Sequence, residues 1–154
     1  MIEHAEDFIL APGYKPTSAI FKITPPLIES GYVYHFTTAS DLLYEVRFAR
    51  KAENVLAMVV NFSVLGDEYE HEYSGTNRGE LYNVIATVIE IIRLFHHQHN
   101  YTISYEFSGE FKDNEPKENS SIRTRLYIRY ADKVLNDNWK PVNFGNKVIL
   151  RKIC

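Results

Sequence analysis

Three segments after Gly31 alternate apolar and polar residues with the two-residue period of a β-strand. They cover residues 32–38, 42–49 and 55–64, and short polar connections separate them. Segment 55–64 is the most apolar, and its uninterrupted apolar face consists of Leu56, Met58, Val60, Phe62 and Val64. The pattern predicts an antiparallel meander of three strands, with the third strand near the centre of a sheet.

The period changes to that of an amphipathic helix from Leu81 onward. The apolar stripe of this helix consists of Leu81, Val84, Ile85, Val88, Ile92 and Phe95. Asn77, with Glu80 three residues later, resembles a capping box, in which side chains bind the free N–H groups of the first helical turn. We therefore predict a helix over residues 77–98 that lies deep on the sheet.

A further strand, a second helix and a closing strand follow in the C-terminal third. Residues 101–107 alternate again, so we expect a strand beside 55–64 with these side chains inward: Tyr101, Ile103, Tyr105 and Phe107. A polar loop precedes the second helix, which is predicted over residues 121–135. Residues 147–153 form the predicted closing strand.

Length and composition favour one globular domain. The chain has 154 residues, of which 45% are hydrophobic and 24% charged, values typical of a folded domain. Its only cysteine is Cys154, so neither an internal disulfide nor a multi-cysteine metal site can form. We expect a single domain over residues 18–154, beginning with a short strand over 18–23, and an N-terminal arm over residues 1–17 that contacts a partner.

The order of the predicted elements resembles the core of the GNAT superfamily of acetyltransferases. This resemblance implies an α+β fold with a mostly antiparallel mixed sheet and two main helices. It also implies that Tyr127 protonates the leaving thiolate, and that acetyl-coenzyme A binds at the turn before the first helix, at Gly75, Thr76, Asn77, Arg78 and Gly79. Helix N-termini offer free N–H groups to phosphate, although the glycine spacing here differs from the family pattern and Glu80 adds a negative charge. A buried core residue is the alternative role for Tyr127.

Three short motifs are similar to those of a group of small phage and bacterial proteins that have no assigned activity. The motifs are Thr-Asn-x-Gly at 76–79, Ala-Thr-Val at 86–88 and Arg-x-x-Leu-Tyr at 123–127. This resemblance implies a phage or bacterial setting, and no chemistry. Because no apolar run approaches the roughly 20 residues of a membrane-spanning helix, we expect a protein of the cytoplasm or of a virion.

The charge is distributed unevenly along the chain. Residues 1–116 carry eight Lys and Arg against seventeen Asp and Glu, whereas residues 117–154 carry nine against three. A basic surface on the second helix, at Arg123, Arg125 and Arg129, is therefore a candidate for binding an anion or a partner. A nucleic-acid interface on the basic C-terminal segment, with Trp139 and Phe144 as stacking residues, is a further alternative. Its basic residues are Arg123, Arg125, Arg129, Lys133, Lys140, Lys147, Arg151 and Lys152. The isoelectric point near 6.1 is low for that role.

The histidines do not form a predicted metal site. His96, His97 and His99 fall at the end of the first predicted helix, where histidine commonly interacts with the last carbonyl groups. His35-Phe36-Thr37 matches one half of the His-x-Thr pair of two-histidine phosphoesterases, and the second half is missing.

These observations predict a small phage-type or bacterial accessory protein that binds another protein, or a second copy of itself, in an assembly. The tyrosine-rich strands and the N-terminal arm motivate this prediction, because aromatic residues are favoured at protein interfaces. On this reading the protein is not an enzyme and uses no cofactor. The alternatives are an acyl-coenzyme A dependent N-acetyltransferase and a nucleic-acid-binding protein.

Overall fold

The computed structural model describes residues 9–11, 20–28, 31–65, 78–108, 122–144 and 147–153. Its strands are β1 (Ile23–Thr24), β2 (Val33–Thr37), β3 (Leu43–Arg50), β4 (Ala57–Val64), β5 (Ser104–Ser108), β6 (Trp139–Phe144) and β7 (Lys147–Lys152). The helices are α1 (Arg78–Gln98) and α2 (Ile122–Val134). The predicted α+β class, with a mixed sheet and two main helices, is confirmed.

All seven strands belong to one sheet in the order β1-β2-β3-β4-β5-β7-β6. Strands β2, β3 and β4 form the predicted antiparallel meander, and β4 occupies the middle of the sheet. The β4–β5 pair is parallel, while the other neighbouring pairs are antiparallel. A parallel pair needs a crossover connection, and α1 provides it.

Both helices pack on the same face of the sheet. Alternation in the strands directs large side chains to this face, and Phe95 of α1 stacks on Phe48 of β3 with ring centroids 3.9 Å apart. Tyr127 of α2 contacts Phe62 of β4 and Phe107 of β5. The apolar stripe of α1 is buried from Val84 to Phe95, so the prediction of a helix lying deep on the sheet is confirmed.

The structure corrects two predictions about the strand ends. Tyr101 and Ile103 were predicted to point inward, but both side chains are exposed. After α1 the chain passes through a turn closed by a hydrogen bond from the Thr102 amide to the His99 carbonyl, and β5 begins only at Ser104. Similarly, Leu56 lies in the turn before β4 and is exposed.

Strand β6 was not predicted. Pro141 interrupts its sequence pattern, since proline cannot donate a hydrogen bond to a ladder. Among the described strands, β6 lies at the edge of the sheet and pairs with β7. A proline is tolerated at an edge because one side of that strand has no neighbour.

Part of the predicted N-terminal arm packs on its own domain. Ile9 and Leu10 are buried, and Leu10 forms a β-bridge with Leu135 just after α2. The Ala11 amide donates to the Val134 carbonyl at 2.8 Å. The remaining arm residues lie outside the described part of the chain. No helix among the described residues is long and apolar enough to cross a membrane.

Candidate protein-binding surface

The predicted coenzyme A turn falls mostly outside the described residues. Gly75, Thr76 and Asn77 lie there, whereas Arg78 and Gly79 are the first two residues of α1. Of the predicted basic surface, Arg125 and Arg129 are exposed on α2, four residues apart and so on one side of the helix. Arg123 belongs to the first turn of the same helix.

Tyr127, the predicted general acid, is a core residue in the structure, with 1% of its surface exposed. Its ring centroid lies 4.6 Å from that of Phe107 and 5.3 Å from that of Phe62. The paired residues of β4 and β5 end at Val59 and Glu106, although both strands continue beyond them. Tyr127 therefore spans the two strands where their pairing has stopped.

Trp139 is not available for stacking on a base, because it is only 4% exposed. Its ring packs edge-on against His96 and stacks on Tyr105. This burial removes Trp139, one of the two predicted stacking residues, from the predicted nucleic-acid interface. The side chain of Phe144 is outside the described part.

The histidines at the end of α1 divide between core and surface. His96 and His99 are buried, while His97 is exposed. Nδ1 of His96 lies 2.7 Å from the Tyr105 hydroxyl, and Nδ1 of His99 donates to the Phe95 carbonyl at 3.0 Å. Burial raises the pKa of Tyr105, so its hydroxyl keeps its proton. Within the described residues, no three His, Cys, Asp or Glu side chains group in a way that could hold a metal ion.

Two large apolar side chains are exposed in the connection between β1 and β2. Leu27 is fully exposed and Ile28 is 70% exposed. The Gly31 amide closes this connection by donating to the Ile28 carbonyl at 2.8 Å. A Cβ atom on Gly31 would lie only 2.5 Å from the Cβ of Pro26, so the turn is tightly packed. Leu27 and Ile28 are thus presented to solvent by a closely packed turn.

An apolar groove of about 420 Å³ lies beside this turn. Its lining residues are Thr24, Pro25, Pro26, Leu27, Ile28, Gly31, Tyr32, Val33 and His35. It follows the edge of the sheet, because β1 pairs with only two residues of β2, His35 and Phe36. At an exposed strand edge next to apolar side chains, a segment of another chain can pair as an additional strand.

The Arg50 cluster, consisting of Arg50, Tyr32 and Tyr101, adjoins the apolar groove. Nη2 of Arg50 donates to the hydroxyl oxygens of Tyr32 and Tyr101, each at 3.2 Å. These bonds raise the pKa of the exposed Arg50, with Tyr32 as the largest cause, so the guanidinium remains charged. Among the described residues, no carboxylate forms an ion pair with Arg50. Tyr32 belongs both to the cluster and to the groove lining, which makes them one continuous surface.

Exposed apolar residues lie on the other side of the Arg50 cluster. The Ile103 amide donates to the Leu56 carbonyl at 2.9 Å, which places these two exposed residues side by side.

Lys51, the neighbour of Arg50 in the chain, differs from Arg50 in having a carboxylate partner, since its Nζ lies 2.7 Å from Oε1 of Glu106.

Comparison of the chain with protein-family models, curated proteins and solved structures finds no match. The functional proposals therefore rest on the geometry described above.

The sequence prediction missed this surface. Tyr32, Arg50 and Tyr101 are far apart in the chain, and strand pairing together with the end of α1 brings them together. The one signal in the sequence was the pair Leu27-Ile28 between two prolines and a glycine, because an apolar pair in a turn has little access to the core.

Proposed function

We propose that this chain is a small accessory protein, of phage or bacterial type, that binds another protein without catalysing a reaction. The observation that carries the proposal is the exposure of Leu27 and Ile28 beside the apolar groove. A contiguous exposed apolar patch on a folded domain typically marks an interaction site. The phage or bacterial setting is proposed from the resemblance of three short motifs, at residues 76–79, 86–88 and 123–127, to those of small phage and bacterial proteins.

The apolar side chains supply enough free energy to matter for binding. Full burial of a Leu or Ile side chain contributes about 1.5–3 kcal/mol, so Leu27 and Ile28 together offer about 3–6 kcal/mol. A micromolar complex requires about 8 kcal/mol. The hydrogen bond from the Gly31 amide to the Ile28 carbonyl restrains the main chain beside these side chains, and such restraint lowers the entropic cost of docking.

A comparison of variants tests this proposal. The double variant Leu27→Ser/Ile28→Ser removes the apolar pair, and Val55→Ser is the matched control, because Val55 is 60% exposed but does not line the groove. Each immobilised protein is incubated with bacterial lysate, and the retained proteins are quantified by mass spectrometry. We expect a partner that the wild type and Val55→Ser retain and the double variant loses. Equal retention by all three proteins contradicts the proposal.

Self-association provides the second arm of that experiment. If the partner is another copy of this chain, light scattering detects an oligomer for the wild type and for Val55→Ser. The double variant is then a monomer at the same concentration. An oligomer that persists unchanged in the double variant places the contact elsewhere and contradicts the proposed surface.

A second proposal, an acyl-coenzyme A dependent N-acetyltransferase with a GNAT-like core, is favoured by the separation of β4 from β5. In open α/β sheets, ligands bind at the carboxyl ends of parallel strands where neighbouring elements diverge. The only parallel pair in the described sheet has such a divergence, after Val59 and Glu106, and α1 follows β4 in the chain.

Thermal unfolding with acetyl-coenzyme A tests the second proposal. A ligand at 100 times its dissociation constant stabilises the folded state by about 2.7 kcal/mol. Tyr127→Phe should keep this stabilisation and lose acyl transfer if the hydroxyl is the general acid. An unchanged melting temperature at millimolar cofactor contradicts the enzyme proposal.

A further inference from the structure

We infer that the Arg50 cluster binds a side-chain carboxylate of the partner, within an extended segment that has apolar residues on both sides of an Asp or Glu. The inference deepens the proposed function and rests on it for the existence of a protein partner. It adds the chemistry by which that partner is recognised.

The guanidinium of Arg50 has unused hydrogen-bonding capacity. An arginine has five N–H donors in a fixed fork. Both bonds that Arg50 makes come from Nη2, so within the described residues Nε and Nη1 donate to no protein atom. Charge-assisted bonds from arginine to carboxylate are among the strongest polar contacts in proteins. The Nε and Nη1 side of the Arg50 guanidinium can therefore bind a carboxylate.

The two tyrosines extend this donor set. Each phenol oxygen accepts a hydrogen bond from Arg50, and its own O–H remains available as a donor. The Tyr32 ring lies 5.2 Å from the His99 ring and 5.7 Å from the Phe95 ring, and the Tyr101 ring lies 6.0 Å from the His99 ring. Since His99 and Phe95 are buried, the core positions both hydroxyls before a ligand arrives.

Arg50 also differs from Arg47 and Arg93, two exposed arginines of the described surface that have carboxylate partners. Arg47 is paired with Glu45, and Arg93 is paired with Glu90. An exposed arginine that is held by two neutral hydroxyls keeps its full positive charge for a partner. One guanidinium with two hydroxyl donors matches the single charge of a carboxylate, whereas a phosphate dianion normally attracts several cations.

The surroundings indicate which carboxylate fits. The apolar groove lies on the β2 side of Arg50. The exposed Leu56 and Ile103 precede β4 and β5, so the strand order places them on the opposite side of Arg50. Apolar surface thus continues in both directions from Arg50. A side-chain carboxylate in the middle of a chain fits this arrangement, whereas a terminal carboxylate would leave one apolar side uncovered. Sugar-phosphate backbones lack the apolar groups that would cover either side.

Selection from a displayed library of random 12-residue peptides tests the inference. The selected sequences on the wild type should be enriched in Asp or Glu flanked by apolar residues. A selected peptide is then synthesised with capped ends, and a second version carries Glu→Gln, or Asp→Asn, at the acidic position. We expect this change and the protein variant Arg50→Gln each to weaken binding at least tenfold. When the altered peptide is measured against Arg50→Gln, its affinity should be no lower than with either change alone, because both changes remove the same direct contact.

Matched controls separate the cluster from general electrostatics. Arg47→Gln removes an exposed arginine three residues earlier in the same strand, β3, and binding of the peptide should change less than twofold. Tyr32→Phe and Tyr101→Phe remove one hydroxyl each and should weaken binding severalfold. Circular dichroism melts verify that every variant is folded. A library without acidic enrichment, or equal losses in Arg47→Gln and Arg50→Gln, overturns the inference.

Other anionic ligands are outcomes of the same test. Single-stranded DNA or phosphatidylserine vesicles that bind the wild type and lose affinity in Arg50→Gln, in the absence of peptide binding, would overturn the peptide inference. If the double variant at Leu27 and Ile28 loses the cellular partner while Arg50→Gln retains it, the proposed function stands and the inference fails. If acidic peptides depend on Arg50 while the double variant still retains every cellular partner, the proposed function fails and carboxylate recognition stands.

Discussion

Substitution of Gly31 by Ala tests whether the turn that presents Leu27 and Ile28 is as tightly packed as the structure indicates. The new Cβ atom would lie 2.5 Å from the Cβ of Pro26, 3.0 Å from the Ile28 carbonyl oxygen and 3.1 Å from the Cγ of Pro26. Two opposing effects decide the outcome. Alanine restricts the unfolded chain and thereby stabilises the protein by about 0.4–1 kcal/mol. Overpacking against a rigid proline ring and a backbone carbonyl costs about 1–3 kcal/mol.

The overpacking cost is the larger of the two, so we expect Gly31→Ala to lower the free energy of unfolding by about 1–2 kcal/mol. Urea unfolding measures this difference, and the melting temperature should fall by about 2–4 °C for each kcal/mol. Pro26→Gly provides a control, because it removes the nearest clashing atoms. In that background Gly31→Ala should cost much less. If Gly31→Ala is as stable as the wild type or more stable, the turn has room for a methyl group and does not hold Leu27 and Ile28 rigidly.

Further measurements address the core beneath this surface. Phe95→Ala should lower the free energy of unfolding by about 3–5 kcal/mol, whereas Tyr82→Ala on the exposed side of the same helix should change it by about 0.5 kcal/mol or less. Tyr105→Phe leaves a ring nitrogen of the buried His96 without its hydroxyl partner and should cost about 1–3 kcal/mol in urea unfolding. Burial raises the pKa values of Tyr105 and Tyr34 above 10.0, so their contribution to stability is complete below pH 10 and is lost as the pH rises further. The wild type should therefore lose stability more steeply above pH 10 than Tyr105→Phe does, and equal slopes would contradict the burial argument.

The elements with an uninterrupted pattern were predictable from the sequence. Strand β4 has a continuous apolar face, and α1 has six apolar residues at helical spacing. Each element buries one apolar face, and the spacing of the apolar residues therefore identifies β4 as a strand and α1 as a helix. Tyr101 and Ile103 continue the alternation of β5 but precede it, with Tyr101 in the turn after α1 and Ile103 directly before the first strand residue. Alternation reports which residues could share a face, and the hydrogen bonds of the turn decide where the strand begins.

The Arg50 cluster could not be predicted, because strand register and the end of α1 assemble it. Arg50 extends the alternation of β3, and the Phe48 amide donates to the Tyr32 carbonyl at 2.9 Å, which aligns Tyr32 with the end of that strand. Tyr101 arrives from the turn after α1. For Trp139 the sequence was misleading. A tryptophan in a basic segment indicated an accessible stacking residue, but at the start of β6 its ring is buried against His96.

The core and the surface are physically connected at the end of α1. His99 stacks on Phe95 with ring centroids 4.0 Å apart, and the other contacts of the His99 ring support Tyr32 and Tyr101. The packing that anchors α1 on the sheet therefore also positions the hydroxyls of the Arg50 cluster. A substitution that loosens this ring stack should weaken partner binding, because the stack supports Tyr32 of the groove lining from beneath.

Site-specific photo-cross-linking provides the most direct test of protein binding at the apolar groove. A benzoyl-phenylalanine replaces Leu27 in one preparation and Val55 in a matched one, and both are irradiated in bacterial lysate and as purified protein. We expect one dominant protein adduct from position 27, either with a second copy of this chain or with one other protein, and no such adduct from position 55. No adduct at position 27, or the same adducts at both positions, would show that Leu27 and Ile28 do not form a specific docking surface.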